Sequence, residues 1–411
     1  MPEDSTRWKT IVPVIEELKD RAKHLGLWNL FLSKCHYPQH GTDFTNLEYA
    51  VMAELLGRRG HMASEVVNCS APNTSNMDVL AKYGTAEQQK QWLEPLLRGE
   101  IRSAFSMTER FIASSDATNI RTDFFVFRWI SGAGDTHTRV HILMGKSDAS
   151  NINTREQQSV VLVPADTPGV RVIRLMKVFG YDDAPERHCE IIYDNVRVPA
   201  SNLVLWWGKG FEVCCFYTRR NAMAYVATDH PRPSRAWSHS PLHACHRCRF
   251  SCLGLDVTMS DRPCEEDLRQ VPPQARLSHC WHRRSRAEIE SSRLLVLSVA
   301  LQIDNFTAKG TLQEIGIAKF FVPSMALGVI DRASQAYGAE GVCQDQHLAK
   351  SWAELRTMRI ADGPDAVHLQ QVGQRELRRA GEVVERATAI KKKEKEILEK
   401  AGLRSKSHSY R

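Results

Sequence analysis

Three stretches of this sequence carry residue types that could do chemistry. The first is Phe105-Ser-Met-Thr-Glu-Arg-Phe-Ile-Ala-Ser-Ser-Asp-Ala-Thr-Asn-Ile120, a short apolar run that dissolves into small hydroxyl residues. That is the pattern of a strand end opening into a loop. Backbone amides and hydroxyls without bulk let a flat ring or a phosphate approach closely, so the loop suits a ligand cradle. A plain Ser/Thr-rich turn has the same composition. The second stretch places a carboxylate, Asp362, directly before Gly363-Pro364. By spacing alone this is a helix N-cap with Pro364 at the first helical position. The third gathers Cys245, His246, Cys248, Cys252, Cys264, His279, Cys280 and His282. Their side chains are those of a zinc site, but the spacing is too irregular for a ribbon or finger.

The elements that must hold these groups fall into three blocks, as a chain of 411 residues allows. Residues 1–104 read as helical. Ile11, Val14, Ile15, Leu18, Ala22 and Leu25 recur at helical spacing before Gly26, and Leu47, Ala50, Val51, Glu54 and Leu55 before Gly57. Met77–Tyr83 forms a third helix, and Thr85 caps a fourth carrying Trp92, Leu93, Leu96 and Leu97. Over 105–212 the pattern changes to short runs rich in β-branched residues, at 140–144, 159–163, 170–174 and 188–193, punctuated by turn residues. Closely spaced strands of this kind predict an antiparallel sandwich or barrel, not a βαβ sheet, and no G-x-G-x-x-G follows any of them. From 285 to 391 the helical period returns as a bundle. Ser285/Glu288 and Thr311/Glu314 fit capping boxes, Ile315, Ala318, Val322, Met325, Ala326, Val329 and Ala333 form a buried stripe, and Pro323 is the expected kink. A charged tail occupies 392–411. The fold class is therefore α+β and multi-domain: an all-α N-terminal domain, a middle β-domain and a C-terminal helical bundle.

Composition narrows the function classes. The formal charge of +7 is concentrated at about 218–286 and in the Lys-rich tail after 388. A solvated helical tail accounts for Ile390-Lys-Lys-Lys-Glu-Lys-Glu, so a nucleic-acid partner is not expected. No apolar run long enough to span a bilayer is expected, and seven of the eleven cysteines fall between Cys214 and Cys280, which is no disulfide framework. The N-terminus has neither secretory nor transit-peptide character, and the C-terminus is no Ser-Lys-Leu address, so no compartment is indicated.

The wording of the chemistry-bearing stretches resembles the acyl-CoA dehydrogenase family. Met107-Thr-Glu109, a short variable piece and Ser115-Asp116 are similar to its flavin-cradling loop. The Ala-Ser-Ser-Asp-Ala-Thr-Asn-Ile version resembles the branch represented in animals by acyl-CoA dehydrogenase family members 10 and 11. Ala81-Lys-Tyr-Gly-Thr-Ala-Glu-Gln-Gln-Lys, Phe179-Gly-Tyr-Asp-Asp-Ala and Val196-Arg-Val-Pro-Ala-Ser-Asn-Leu extend the likeness through the first two blocks. The resemblance implies FAD as cofactor and an acyl-CoA thioester as substrate. A carboxylate would remove the α-proton while the β-hydrogen leaves as hydride to flavin N5. It also implies a homodimer or homotetramer, and an electron-transfer flavoprotein or oxygen as acceptor.

Matched residue by residue, the resemblance makes Asp362, in the acidic-Gly-Pro pattern with Gly363, the base. Phe105, Met107 and Thr108 would lie along the flavin's pyrimidine edge, and Ser114 and Ser115 near flavin and acyl-CoA. Trp129 and Ser131 would lie at the ring. Gln335, Gly338 and Gly341 would form the loop that receives the ADP part of a neighbouring subunit's cofactor. Gly338 and Gly341 read equally as a helix C-cap. Ala366 stands where relatives carry Glu, and Asp is one methylene shorter than the family's usual Glu, leaving room for branched or substituted chains.

One segment departs from this pattern. Over 213–284 neither period survives, and the text is rich in Cys, His, Pro, Trp and basic residues. It reads as a frameshifted or intron-derived stretch, as a long disordered insertion, or as the zinc-bearing element of an interaction protein. Relatives place there a bundle helix and the Arg and Phe that meet the flavin diphosphate. The hairpin they carry before Trp129-Ile-Ser is also missing, and Trp206-Trp207 replaces a loop glycine. The alternative to an active dehydrogenase is thus a defective or non-catalytic relative that does not hold FAD.

Overall fold

The computed structural model describes residues 12–57, 61–121, 126–181, 188–217, 273–345 and 347–402. The chain opens with α1 (Pro13–His24), α2 (Asn46–Gly57), α3 (His61–Val66) and α4 (Asn73–Tyr83). Then comes α5, one helix assembled from Ala86–Gln88, a π-helical Gln89–Leu93 and Glu94–Arg98. Thr85 starts α5 with the expected cap: its hydroxyl accepts from the Gln88 amide while the Gln88 side chain accepts from the Thr85 amide. Trp92, Leu93 and Leu96 are buried as anticipated. The buried face of α2 is rotated from the one expected. Tyr49, Ala50, Ala53 and Glu54 point inward, whereas Val51 and Leu55 are exposed. Arg293 ion-pairs with Glu54 at 3.0 Å and makes the burial of that carboxylate tolerable.

Among the described residues seven strands follow: β1 (Arg102–Ser106), β2 (Val126–Ile130), β3 (Thr138–Lys146), β4 (Gln158–Pro164), β5 (Val170–Leu175), β6 (Cys189–Tyr193) and β7 (Leu203–Val204). They form a four-stranded sheet ordered β1-β3-β4-β7 and a three-stranded sheet ordered β2-β6-β5. Ala104, Phe127, Ile130, Val163, Cys189, Ile191 and Tyr193 make the core shared by the two. The β1–β3 pair is parallel, which corrects the all-antiparallel expectation, and no closed barrel forms among the described residues. The physical reason is connectivity: the chain leaves β1, passes through the other sheet as β2, and returns long enough to run β3 in the same direction. Because side chains alternate, Ala104 faces the core between the sheets while Phe105 faces the core shared with the helices.

A short helix, α6, covers 210–217. The bundle consists of α7 (Pro273–Gly310), α8 (Leu312–Tyr337), α9 (His347–Met358) and α10 (Asp365–Lys400). Helix therefore occupies both ends of the stretch 213–284, at 213–217 and from Pro273 onward, and α10 continues through the charged tail to Lys400. Neither predicted capping box in the bundle forms. Ser285 lies inside α7, where its hydroxyl accepts from Arg332 Nε at 3.1 Å, and Thr311 donates back to the Thr307 carbonyl at 2.9 Å. Non-helical backbone occurs at Thr307, while α8 runs on through Pro323.

The run Leu312–Val342 is long and apolar enough to cross a membrane, contrary to expectation. It is the central helix of the bundle, packed on α7, α9 and α10, and it buries Lys319 completely. The Cys and His residues of the zinc reading lie outside the residues whose side chains are described.

Candidate active site

The strand-end loop forms as its composition suggests, but its polar groups have distinct uses. Ser114 is buried and holds the loop itself, accepting from the Glu109 amide at 3.1 Å and donating to the Ile112 carbonyl at 3.3 Å. Ser115 is exposed and Thr108 half-buried, so these two hydroxyls, not that of Ser114, lie on the open side of the loop. Glu109, to which the sequence pattern assigned no role, is buried. Its backbone bridges to Phe127 and its carboxylate accepts from the Arg121 amide at 2.9 Å, tying the loop's return to its start. Asp116 caps the turn Ala117–Asn119 through the Thr118 amide and hydroxyl.

Phe105 and Met107 meet α6. The Phe105 ring stacks on Tyr217 with centroids 3.9 Å apart and planes 17° apart, and Met107 Sδ lies 3.0 Å from Cys214 Sγ. Behind β1, Ser106 Oγ lies 2.6 Å from the Tyr193 hydroxyl, which lies 2.8 Å from His141 Nδ1. Burial pushes the His141 imidazole down to about 4 and the Tyr193 phenol upward. Both are neutral at neutral pH, so this buried cluster is a set of hydrogen bonds without charge. Trp129 lies on β2 and Ser131 directly after it; the Trp129 side chain is outside the described residues.

Asp362 and Gly363 form the turn between α9 and α10. Asp362 has φ +54 and Gly363 φ +99, two consecutive left-handed residues. Asp is among the few non-glycine residues that tolerate this region. The expected cap is not the one observed. Pro364 occupies the N-cap position, Asp365 is the first helical residue, and the Asp365 carboxylate pairs with Arg359 Nε at 2.7 Å. Lys319 of α8 donates to the Met358 and Ala361 carbonyls at 2.5 and 2.9 Å, and His368 Nε2 lies 3.2 Å from the Asp362 carbonyl oxygen. Burial, and next the Lys319 charge, hold His368 below its ordinary 6.5. The imidazole is therefore neutral, with the proton on Nε2, where the carbonyl can accept it.

Gln335 sits at the other end of α8, about 24 Å from Lys319 along the helix axis at 1.5 Å per residue, and Gly338 and Gly341 follow the helix end. Gly338 caps α8 at φ +63, its amide donating to the Gln335 carbonyl. Gly341 is packed so closely that a Cβ would lie 2.3 Å from the Ser334 carbonyl oxygen. The structure thus gathers the candidate residues into separate groups: Phe105 and Met107 against α6, Asp362 with Gly363 beside the start of α8, and the glycine loop at its far end.

A three-part chain of helical block, double-sheet block and helical bundle is the architecture of a flavin-dependent dehydrogenase fold. Comparison with known proteins makes this specific. Residues 3–100 match the family described as "Acyl-CoA dehydrogenase, N-terminal domain" and 282–377 match "Acyl-CoA dehydrogenase, C-terminal domain". Chicken acyl-CoA dehydrogenase family member 11 is 41% identical over 387 residues, covering 90% of this chain but only 46% of that one. The chain thus spans about half the length of that relative. The Mycobacterium tuberculosis relative named acyl-CoA dehydrogenase FadE2 is 41% identical over 382 residues, 90% of this chain and 87% of that one. A solved Mycobacterium abscessus structure assigned to the acyl-CoA dehydrogenases superposes with TM-score 0.74 at 36% identity, covering 91% and 88% of the two chains. This chain belongs to the acyl-CoA dehydrogenase family.

Proposed function

We propose that the chain is an FAD-dependent acyl-CoA dehydrogenase in which Asp362 is the catalytic base. The observation that carries the reading is the turn at 361–364. A carboxylate-bearing residue is fixed there in a left-handed conformation between two bundle helices, at the position that matches the family's acidic-Gly pattern. A residue serving only as an N-cap would need ordinary extended backbone at the cap position, and that position of α10 is held by Pro364, two residues further on.

In the reaction the α-carbon of an acyl-CoA thioester loses a proton to the Asp362 carboxylate, and the β-carbon loses hydride, so that a C=C bond forms between them. FAD, when bound, supplies the two-electron acceptor for that hydride. Of the matched residues, Thr108 and Ser115 offer hydroxyls to a ring on the open side of a loop whose own buried groups are satisfied, while Phe105 and Met107 back that loop against Tyr217 and Cys214 of α6. The α-proton is weakly acidic, so the base must act in a site that excludes water while donors polarise the thioester carbonyl. Asp362 and Gly363 are half-buried, which allows a substrate to reach the carboxylate and cover it. Gln335, Gly338 and Gly341 lie far along α8 from Asp362, which suits a loop serving a neighbouring subunit in a dimer or tetramer. An electron-transfer flavoprotein or oxygen would reoxidise the cofactor.

The test is Asp362→Asn. Asn also tolerates the left-handed region, so the turn and the stability should survive. Flavin reduction by an acyl-CoA should fall by about 10²–10⁴-fold, the usual contribution of a general base. An acyl-CoA should still perturb the flavin spectrum without bleaching it. Near-normal reduction in this variant would place the base elsewhere.

A further inference from the structure

We infer that Lys319 and His368 are positioning residues that clamp the backbone of the Asp362 turn, an inference that rests on Asp362 being the base. The turn is awkward for a chain to hold. Two consecutive residues at positive φ, one of them not glycine, cost free energy that the surroundings must offset. It also follows the end of α9, where the last carbonyls of a helix lack partners within it.

Lys319 answers the second difficulty. Lys319 is 1% exposed, and its ammonium donates to the carbonyls of Met358, the last residue of α9, and Ala361, the residue before Asp362. A buried ammonium is tolerable because these acceptors surround it at the negative end of a helix dipole. The link also runs between elements, because Lys319 is on α8 and fixes the turn to the central helix of the bundle. His368 answers the first difficulty from the other side. Its Nε2–H donates to the Asp362 carbonyl, so the left-handed residue itself is held between α8 and α10. The contact is tight: a Cβ at Gly363 would lie 2.8 Å from His368 Nε2. The Arg359–Asp365 ion pair and the Asp365 amide to Arg359 carbonyl bond at 3.2 Å close the loop below. Lys319 and His368 are therefore the side chains that hold Ala361 and Asp362 at their carbonyls. Both fix where the proton acceptor is anchored.

The test compares Lys319→Met, which keeps the buried stem and removes the charge, with His368→Leu, which removes the donor, and His368→Gln, which keeps one. Amide hydrogen exchange is read at Ile360, Ala361, Asp365 and Val367, whose amides bond within the turn. The clamp predicts exchange faster by about tenfold or more there in Lys319→Met and His368→Leu, with protection kept in the middle of α8 and in β3. His368→Gln should stay near the parent. In FAD-loaded protein, single-turnover flavin reduction by octanoyl-CoA should fall by about 10–100-fold in the same two variants while the octanoyl-CoA Kd changes little, as misplacement of a reacting group requires. Unchanged exchange in the turn, or protection lost evenly through the bundle, would overturn the clamp. Asp362→Asn measured in parallel separates the readings. If it reduces flavin normally, the base assignment fails whatever the exchange shows. If it is inactive while Lys319→Met matches the parent in exchange and rate, the clamp alone fails.

Discussion

Asp362 and His141 show how one backbone angle or one buried ring decides what a residue can do. At φ +54, Asp362 can be replaced by Asn at little cost, whereas Asp362→Glu keeps the charge but places a longer side chain where the left-handed region favours short polar ones. Asp362→Glu should therefore retain some flavin reduction, measured in single turnover, but lower the thermal midpoint more than Asp362→Asn. His141 makes the opposite kind of prediction. Its folded value of about 4 lies below the ordinary 6.5, so the unfolded chain binds a proton that the folded chain refuses. Stability from this group is complete above about pH 6.5 and is lost as pH falls from there towards 4, by an amount on the order of 3 kcal/mol. His141→Gln should flatten the fall of the thermal midpoint between pH 6.5 and 4.5. An unchanged slope would mean that another group titrates there.

At the scale of elements, helix ends and faces are set by partners far away in sequence. The start of α2 is the clearest case. Thr45 and Glu48 form a local capping box, with the Thr45 amide donating to Glu48 at 2.9 Å and the Glu48 amide to the Thr45 hydroxyl at 3.2 Å. Beyond it, Asp304 of α7 accepts from the Asn46 and Leu47 amides at 2.9 and 3.0 Å, a carboxylate supplied to the helix N-terminus by another helix. Farther along the same pair, Arg293 meets Glu54, whose side chain is 4% exposed. Arg293→Met should destabilise by about 3 kcal/mol or more, since it strands a buried carboxylate, while Arg293→Met with Glu54→Leu should recover most of the loss. Denaturant unfolding of the two single variants and the double variant measures this; additive losses would show that the pair is not coupled.

For the molecule as a whole, the question is how a chain with this interior segment holds its cofactor. The resemblance matches residues here to the flavin edge, the base and the glycine loop, but it implies an Arg and a Phe at the diphosphate for which it offers no match in the stretch 213–284. A diphosphate needs cationic or amide donors, and an Arg supplies two parallel ones. Replacing 218–272 with the corresponding stretch of the Mycobacterium tuberculosis relative should raise the flavin-to-protein ratio, read from the visible spectrum after desalting. Full flavin occupancy in the unaltered chain would show that the missing contacts are dispensable.

The sequence by itself determined the three-block order, the strands at 140–144, 159–163, 170–174 and 188–193, the Thr85 cap and the Met-Thr-Glu loop with its Ser and Asp. These depend on local chemistry: residue periods of 3.6 or 2, turn residues and side chains that reach their own backbone. The tertiary structure alone decided the parallel β1–β3 pair, the rotated face of α2, the single helix through Ser285 and the bracing of the Asp362 turn. Each of these is a contact between distant residues, such as Glu54 with Arg293, Ser285 with Arg332, or Lys319 with Ala361. A buried charge or an unpaired carbonyl takes the partner that packing brings to it, and nothing in the neighbouring residues records which partner that will be.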